Sequence, residues 1–303
     1  MAFWHVWSES QGIETSVSVR RVLQSGGPAR DSGEREPSAA TRPSGGTDFP
    51  NSSNDVWALE TETYGTILLA QDKPLRGSLQ PSPYHEMLVH PAMNAHPAPK
   101  SALLFGGSDG ASLELLLSYP SLESVTVAGL DETVAKTAAA WFPTAHAAFS
   151  DQRLRVSSAD ASIFARDCRD RFDVVIIDPV APLCSLSFPQ SFFCDCFRLL
   201  TGDGVLACDC GPADPKSALR ETGSVVGKVR RLFPVFKPYR APGRLSCERD
   251  RIFGFAAKTF DPTATPPSSR WKTEGARAGW YNDSMHRAAF ALPTTVEAML
   301  ETV

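Results

Sequence analysis

The pattern of apolar and polar residues changes near residue 80. Before that point, residues 13–25 alternate between valines and polar residues, which predicts a strand. Two further apolar runs, residues 56–60 and 66–70, flank a Tyr-Gly pair and predict a hairpin. We therefore expect a small N-terminal β domain over residues 1–80.

Residues 26–54 interrupt that domain. The segment is rich in Ser, Gly, Pro and charged residues and poor in apolar ones. Because it offers little apolar surface to offset the entropy lost on ordering, it predicts an inserted flexible loop. An exposed segment of this kind can become ordered on a partner, so it is a candidate docking element for another protein.

Beyond residue 80, helical and strand patterns alternate, beginning with a helix from Tyr84. Strands are predicted at 101–106, 124–130, 153–157, 172–178 and 204–209, and helices at 110–118, 131–141, 160–169, 189–200 and 215–232. Two last strands, 234–239 and 251–257, have no helix between them and predict an antiparallel edge. The alternation predicts an α/β fold with a doubly wound, Rossmann-like sheet over residues 81–303.

Composition excludes several classes of protein. A net charge of -4 disfavours a broad surface for nucleic acid or anionic membrane. No apolar run reaches the length of a membrane span, and the first residues lack the pattern of a signal peptide. We therefore expect no membrane span and no nucleic-acid partner.

The chain has seven cysteines, and this odd number predicts free thiols in a reducing, intracellular compartment. The cytoplasm is our expectation, although Arg20 and Arg21 leave a mitochondrial location open. A single residue separates each of the two close cysteine pairs, in Cys194-Asp-Cys196 and Cys208-Asp-Cys210. Zinc sites usually place two to four residues between paired cysteines, so we expect no metal site there.

The segment from Ser101 to Gly110 carries the strongest chemical signal. A short apolar run meets Gly106-Gly-Ser-Asp-Gly110 and then a helical pattern, which is how a parallel sheet presents a nucleotide-like ligand. Glycine lets the backbone approach the ligand, and the acid could face a ligand cation. The following positions fall at the predicted carboxyl ends of strands, where such folds bind ligands: Asp109, Gly129, Asp131, Asp160 and Asp178.

Three separated motifs resemble those of one enzyme family. They are Tyr84-His-Glu-Met-Leu-Val-His-Pro91, the loop Gly106-Gly-Ser-Asp-Gly110 and the C-terminal Trp280-Tyr-Asn-Asp-Ser-Met-His-Arg-Ala-Ala-Phe-Ala-Leu-Pro293. On these motifs the chain resembles the spermidine synthase family of polyamine aminopropyltransferases over almost its whole length. The resemblance implies a methyltransferase-like fold. It also implies transfer of an aminopropyl group from decarboxylated S-adenosylmethionine, the co-substrate, to an amine such as putrescine.

The resemblance also assigns roles to individual residues. Asp109 matches the acid that holds the amine of the donor, Asp160 the acid that contacts the adenine amino group, and Asp178 the proposed catalytic base. Tyr84 and His85 match positions that line the substrate pocket, and His85 is grouped with the donor site. The donor site would also include the following residues: Gly106, Gly107, Gly110 and Asp131.

Several ligand contacts of the family are replaced in this chain. Gly129 stands where the family has a Glu that accepts hydrogen bonds from both ribose hydroxyls. Losing these two bonds would weaken donor binding by about 3 kcal/mol, unless Asp131 substitutes in part. The other replacements are Leu75 for a Gln, Gln80-Pro81 for an Asp-Glu pair, Ala181 for a second acid, and Ser246-Cys-Glu-Arg249 where the family has Thr-Tyr-Pro-Ser-Gly.

Each retained residue also has a purely structural interpretation. Asp109 and Asp160 precede helices and are suited to capping them, and Asp178 precedes a proline at a strand end, where turns are common. Tyr84 suits a core position. His85 and His286 are predicted to be packed or hydrogen-bonded parts of the scaffold rather than catalytic groups.

Scaffold motifs are therefore intact while ligand contacts are eroded. We expect a catalytically impaired family member that acts as a scaffold or accessory subunit, as a homodimer or hetero-oligomer, with a protein partner at the insertion. Two alternatives stay open: an active aminopropyltransferase with altered contacts, and an S-adenosylmethionine-dependent methyltransferase.

Overall fold

A computed structural model describes residues 2–8, 13–24, 56–70, 73–79, 82–179, 188–213, 221–245, 248–263 and 269–301. The chain divides into two compact units, Met1–Gln80 and Pro81–Val303. The predicted insertion over 26–54 lies outside the described residues. Within the described ranges, no helix combines the length and the apolarity that a membrane crossing requires.

The N-terminal unit contains an antiparallel sheet of five strands in the order β1-β2-β3-β4-β5. Their bounds are β1 Ala2–Ser8, β2 Ile13–Gln24, β3 Val56–Thr61, β4 Gly65–Ala70 and β5 Lys73–Gly77. The predicted strand at 13–25 and the predicted hairpin are confirmed, and β1 and β5 were missed. β5 is short and contains Pro74, which is tolerated because an edge strand can leave a backbone position unpaired.

The C-terminal unit contains a sheet of seven strands in the order β11-β12-β10-β9-β6-β7-β8. Their bounds are β6 Ser101–Gly106, β7 Ser124–Ala128, β8 Leu154–Val156, β9 Phe172–Asp178, β10 Leu200–Pro212, β11 Val235–Ala241 and β12 Arg251–Ala257. Strands β6 to β10 are parallel, and β11 and β12 form the predicted antiparallel edge. The predicted Rossmann-like sheet is confirmed.

Ten helices are described in this unit. They are α1 Pro83–Ala95, α2 Ala111–Leu117, α3 Glu132–Trp141, α4 Pro143–Phe149, α5 Ala161–Asp167, α6 Gln190–Leu199, α7 Glu221–Arg230, α8 Arg270–Thr273, α9 Asp283–Ala289 and α10 Thr294–Glu301. The sequence predicted α1 to α3 and α5 to α7. It missed α4 and the last three, which have four to eight residues and therefore a weak apolar period, and which lack the position directly after a predicted strand that α2 and α5 have.

Both faces of the sheet are buried, which explains the continuous apolar run in β9. Val174 and Ile176 pack into one core cluster, whereas Val175 and Ile177 pack into a second cluster on the other face. From β6 the chain proceeds outward through β7 and β8, and then returns to β9 and β10 on the other side. The topological switch point therefore lies between β6 and β9, where ligands bind in open α/β sheets.

Candidate active site at the switch point of the sheet

The glycine loop after β6 packs directly against the end of β9. Gly106 pairs with Asp178 and has a φ of 84°, and a Cβ atom on it would lie 2.2 Å from the Asp178 carbonyl oxygen. The Gly107 N–H donates to that same carbonyl at 2.8 Å. Glycine is therefore required here for the close approach of two strand ends, and this approach brings Asp109 and Asp178 to one place.

Asp109 divides its two carboxylate oxygens between a helix and the site. Oδ1 accepts a hydrogen bond from the N–H of Ala111, the first residue of α2, at 3.0 Å. Oδ2 lies 3.0 Å from Nε2 of His85. The side chain is only 2% exposed, so its charge requires a positive group close by. Capping alone is thus the wrong interpretation of Asp109.

Asp178 is equally buried and faces the same point. Its Oδ2 accepts a hydrogen bond from the Ser112 hydroxyl at 2.6 Å and lies 3.8 Å from Nε2 of His85. Two buried carboxylates and one imidazole therefore converge at the switch point. The prediction that His85 is packed and hydrogen-bonded agrees with this arrangement, in which α1 places the buried ring between the two acids.

A guanidinium that the sequence did not predict lies between these acids. Arg244 Nη2 donates to Asp178 Oδ1 at 2.7 Å and to the Pro179 carbonyl at 2.8 Å. Its Nη1 donates to Asp109 Oδ2 at 3.2 Å and lies 2.9 Å from His85 Nε2. Burial opposes the charge of Arg244, but Tyr84 and the carboxylates of Asp178 and Asp109 outweigh it, so the pKa of Arg244 is raised.

Tyr84 connects this cluster to a second ion pair. Its ring lies under the Arg244 guanidinium, with 4.2 Å between Cζ and the ring centroid. Its hydroxyl donates to Asp209 Oδ2 at 3.0 Å, and Arg251 Nε donates to the same carboxylate oxygen at 3.1 Å. Burial raises the pKa of Tyr84 well above its usual value, so the phenol stays protonated. Tyr84 is a core residue, but its polar end belongs to the site.

The sequence missed the following residues of the cluster: Ser112, Asp209, Arg244 and Arg251. The available signal was the departure from the family pattern just before Arg251. Arg244 lies in the connection between β11 and β12, and it is 66 residues from Asp178 in the chain. Periodicity carries no information on contacts at that separation.

Two motifs of the sequence analysis turn out to support α1, which carries Tyr84 and His85. The buried carboxylate of Glu86 accepts hydrogen bonds from three successive backbone N–H groups, those of Gly279, Trp280 and Tyr281. Tyr281 in turn lies 2.9 Å from Nδ1 of His286. His286 has its other ring nitrogen 3.2 Å from the Pro262 carbonyl, so the prediction of a scaffold role is confirmed for this histidine.

A family model described as "Spermine/spermidine synthase domain" matches residues 82–258, which contain this whole cluster. The chain belongs to the spermine/spermidine synthase family. A polyamine aminopropyltransferase of Streptococcus pneumoniae (strain TIGR4) is 31% identical over 252 residues, covering 82% of this chain and 87% of the relative. One of Alkaliphilus metalliredigens is 30% identical over 249 residues, covering 81% of this chain and 87% of the relative.

Solved structures of the family share the fold. A crystal structure of spermidine synthase from Thermotoga maritima matches with a TM-score of 0.83 at 23% identity, and covers 100% of this chain and 95% of that one. A crystal structure of spermidine synthase in complex with the transition state analogue AdoDATO matches with a TM-score of 0.81, also at 23% identity. The methyltransferase-like α/β fold that the resemblance implied is therefore confirmed.

Asp131 and Asp160 act as helix caps in this family member. Asp131 Oδ1 accepts hydrogen bonds from Thr133 N at 2.9 Å and Val134 N at 3.0 Å, at the start of α3. Asp160 Oδ1 accepts from Ser162 N at 2.8 Å and Ile163 N at 3.3 Å, at the start of α5. The capping interpretation of Asp160 is confirmed. Both side chains are exposed, and one oxygen of each suffices for the cap.

Gly129 is locked into its backbone conformation. Its φ is 69°, and a Cβ atom on it would lie 2.9 Å from Cβ of Ala161. A glutamate at this position would be strained by both effects. The family's ribose contact therefore cannot be regained by one substitution in this backbone.

Two histidine–carboxylate clusters bring together ligand atoms within 4.8 Å of one another. In the first, His85 with Asp109 and Asp178, the Arg244 guanidinium lies among the ligand atoms and would repel a metal cation. In the second, His96 with Asp173 and Asp203, His96 Nδ1 accepts a hydrogen bond from the Ala98 N–H at 3.1 Å. The proton of the neutral ring must then be on Nε2, which leaves no lone pair for a metal.

The cysteine pairs are not arranged as zinc ligands either. Cys194 is exposed and Cys196 is buried, because residues two apart on α6 point in different directions. Cys208 and Cys210 are both buried in β10, with 3.7 Å between their sulfur atoms, but in the part of the chain that the structure describes no third ligand atom from a His, Cys, Asp or Glu joins them. A structural zinc site needs four such ligands, so this pair alone does not form one.

Proposed function

We propose that this protein is an aminopropyltransferase that moves the aminopropyl group of decarboxylated S-adenosylmethionine to a small amine such as putrescine. The observation that carries the proposal is the pair of buried carboxylates, Asp109 and Asp178, at the switch point of the sheet. The pair satisfies a fully charged guanidinium, so the same oxygens are suited to the ammonium groups of donor and acceptor. Relatives named as polyamine aminopropyltransferases cover most of the chain and support this proposal over an inactive protein.

The reaction asks little covalent chemistry of the protein. The lone pair of the acceptor nitrogen attacks the carbon next to the sulfonium, a C–N bond forms, and the C–S bond breaks. Its electron pair goes to sulfur, which leaves as the neutral thioether methylthioadenosine, and the nitrogen releases a proton. Holding the amine neutral, close and in line therefore supplies most of the rate enhancement.

We assign Asp178 as the base that accepts this proton. Its Oδ2 is fixed by the Ser112 hydroxyl at 2.6 Å, which leaves Oδ1 directed toward the position of the cation. Asp109 Oδ2 faces the same position and would hold the amine of the donor by charge. Tyr84 supplies an aromatic face for the cation, and its hydroxyl is anchored on Asp209.

The second candidate is an accessory subunit without catalysis. Two observations favour it: Arg244 fills the acid pair, and Gly129 cannot provide the ribose contact. In this case the inherited fold would be retained for docking, and residues 26–54 would be the segment to delete in a test of partner binding.

The test is a product assay. Purified protein is incubated with decarboxylated S-adenosylmethionine and putrescine, and the products spermidine and methylthioadenosine are quantified by mass spectrometry. The two products should form in equal amounts. Asp178→Asn should lower the rate by about 100-fold or more, because it removes the base. Asp170→Asn changes an exposed carboxylate and should leave the rate unchanged.

Equal product formation by Asp178→Asn and the parent would remove Asp178 from the mechanism and leave the activity in place. Two other outcomes would overturn the proposed function. Absence of product together with absence of donor binding in calorimetry would favour the accessory subunit. Methyl transfer from intact S-adenosylmethionine would favour a methyltransferase instead.

A further inference from the structure

We propose that Arg244 is an internal competitor for the amine site: its guanidinium occupies the acid pair in the ligand-free protein and must withdraw before a cationic substrate binds. Arg244 then sets the affinity of the site for amines. This inference rests on the proposed function, because it identifies the acid pair as the place where an amine is bound.

The contacts of Arg244 are those that a substrate ammonium would need. The guanidinium reaches Asp178 Oδ1, Asp109 Oδ2 and the Pro179 carbonyl at 2.7, 3.2 and 2.8 Å, respectively. It also donates to the Tyr84 hydroxyl at 3.3 Å and lies over the face of that ring. A second cation cannot reach these oxygens at the same time, because the guanidinium already fills the space between them.

His85 contacts both the guanidinium and one of the two acids. Its Nε2 is 2.9 Å from Arg244 Nη1 and 3.0 Å from Asp109 Oδ2, so it lies between a donor and an acceptor. With the guanidinium in place, Nε2 must be unprotonated in order to accept from Arg244. An unprotonated nitrogen cannot donate to Asp109. Withdrawal of Arg244 would let the other tautomer form, with an Nε2–H that donates to Asp109.

Exchange of Arg244 for a substrate amine keeps the charge of the cluster constant. One positive group leaves two carboxylates and another takes its place, so neither state leaves Asp109 and Asp178 without a counterion. The neighbouring Arg251 does not take part, because it is bound to Asp209 on the far side of Tyr84. Substrate binding can therefore displace Arg244 without exposing an unpaired buried charge.

The position of Arg244 in the chain suits withdrawal. It lies in the connection between β11 and β12, residues 242–250, and reaches the acids with a long unbranched side chain. Its backbone is held separately, since the Arg244 N–H donates to Glu248 Oε2 at 2.7 Å and the Glu248 N–H donates to the Leu245 carbonyl at 2.9 Å. Rotation of the side chain is sufficient to vacate the site, and Glu248 offers a further carboxylate on the same connection.

The experiment compares Arg244→Gln with the parent in calorimetric titrations of putrescine and of decarboxylated S-adenosylmethionine. If the guanidinium occupies the acid pair in about nine protein molecules out of ten, only one molecule in ten can bind the amine. Removal of the guanidinium then lowers the apparent Kd about tenfold, because the apparent affinity is the intrinsic affinity multiplied by the fraction of molecules that can bind. The matched control is Arg240→Gln, the same change at an exposed residue of β11 that pairs with Asp250. This control should leave both Kd values unchanged.

Equal or weaker binding by folded Arg244→Gln would overturn the inference. If this variant does not fold, Arg244→Lys replaces it, with a smaller gain in affinity expected and no gain contradicting the inference. A measurement on the parent protein gives a second test. The side-chain guanidinium signals of Arg244 in the NMR spectrum should shift when putrescine saturates the site, while those of the exposed Arg240 stay in place, and unshifted Arg244 signals at saturation would contradict withdrawal.

The two proposals fail in different ways. If the parent turns over substrate and has the same KM as Arg244→Gln, the aminopropyltransferase proposal stands and the proposal that Arg244 competes with the substrate is refuted. Folded parent and variant proteins that bind neither putrescine nor the donor would remove the amine site itself, and both proposals with it.

Discussion

The contact between α1 and the C-terminal segment gives a sharp test of how the site is supported. Glu86 is buried, and its carboxylate receives Trp280 N and Tyr281 N on Oε2 at 2.8 and 2.7 Å, and Gly279 N on Oε1 at 2.9 Å. Replacement of Glu86 by Gln keeps the shape of the side chain. It removes the charge and turns one acceptor into an NH2 group.

The cost can be estimated from these contacts. With the amide oxygen in the place of Oε2, the bonds from Trp280 and Tyr281 persist but lose charge assistance, about 1 kcal/mol each. The NH2 group then faces the Gly279 N–H, which loses its 2.9 Å bond to Oε1 and keeps only the longer, 3.1 Å bond to the oxygen in the place of Oε2, at a cost of about 1 kcal/mol. We expect Glu86→Gln to lower the free energy of unfolding by about 3 kcal/mol.

Urea denaturation followed by far-ultraviolet circular dichroism measures this quantity. The matched control is Glu132→Gln, the same chemical change at an exposed residue that pairs with Lys136 on the surface, where about 0.5 kcal/mol or less is expected. Both variants keep the N-terminal unit intact, so its contribution is common to the two measurements. A loss below about 1 kcal/mol in Glu86→Gln would refute the reasoning, since the carboxylate would then not anchor the segment.

Two further predictions concern pH and the glycine loop. Burial lowers the pKa of His90 from 6.5 to about 4, so the folded state resists protonation, and stability present above pH 6.5 is lost as the pH falls toward 4. The two pKa values imply that the free energy of unfolding falls by about 3 kcal/mol, which urea denaturation between pH 7.5 and 4 should detect. His90→Gln should remove this loss, and an unchanged pH dependence of stability in the variant would contradict the assignment. Gly106→Ala forces a Cβ atom against the Asp178 carbonyl and should lose stability by about 2 kcal/mol or more together with amine binding. Gly275→Ala, with a φ of 69° and no atom within 4 Å of the added Cβ, should be destabilised by backbone strain alone. Equal losses of stability in the two variants would argue against the packing of Gly106 on Asp178.

Much of the fold follows from local patterns. The continuous apolar run of β9 predicts a strand buried on both faces, and the core clusters on the two sides of the sheet bear this out. The glycine loop and the acids at strand ends predict a ligand site at the carboxyl edge. These inferences work because hydrophobic periodicity and turn chemistry depend on residues close together in the chain.

Several helices of one or two turns were not predicted from the sequence pattern. The segment 283–289 is held by the Asn282 side chain, which accepts hydrogen bonds from Ser284 N and Met285 N, and by burial of His286 and Ala289. Its helical conformation depends more on packing than on periodicity. The same segment was recognised as a family motif, so its importance was visible in the sequence while its structure was not.

The roles of individual acids were decided by tertiary contacts. Asp109 and Asp160 look alike in the sequence, since each precedes a helix after a strand. In the structure Asp160 is exposed and caps α5, whereas Asp109 is buried and turns one oxygen toward His85 and Arg244. Burial and the identity of a distant counterion separate the two, and neither is a local property.

The amino-acid sequence by itself determined the layered α/β architecture, the glycine turn at the switch point and the presence of acids beside it, because each depends on neighbouring residues. Only the tertiary structure decided that a guanidinium from the β11–β12 connection fills the acid pair, that Glu86 binds the C-terminal signature, and that Gly129 cannot carry a side chain. These features depend on which distant segments the packed sheet brings together, and on the sign of charge that meets there.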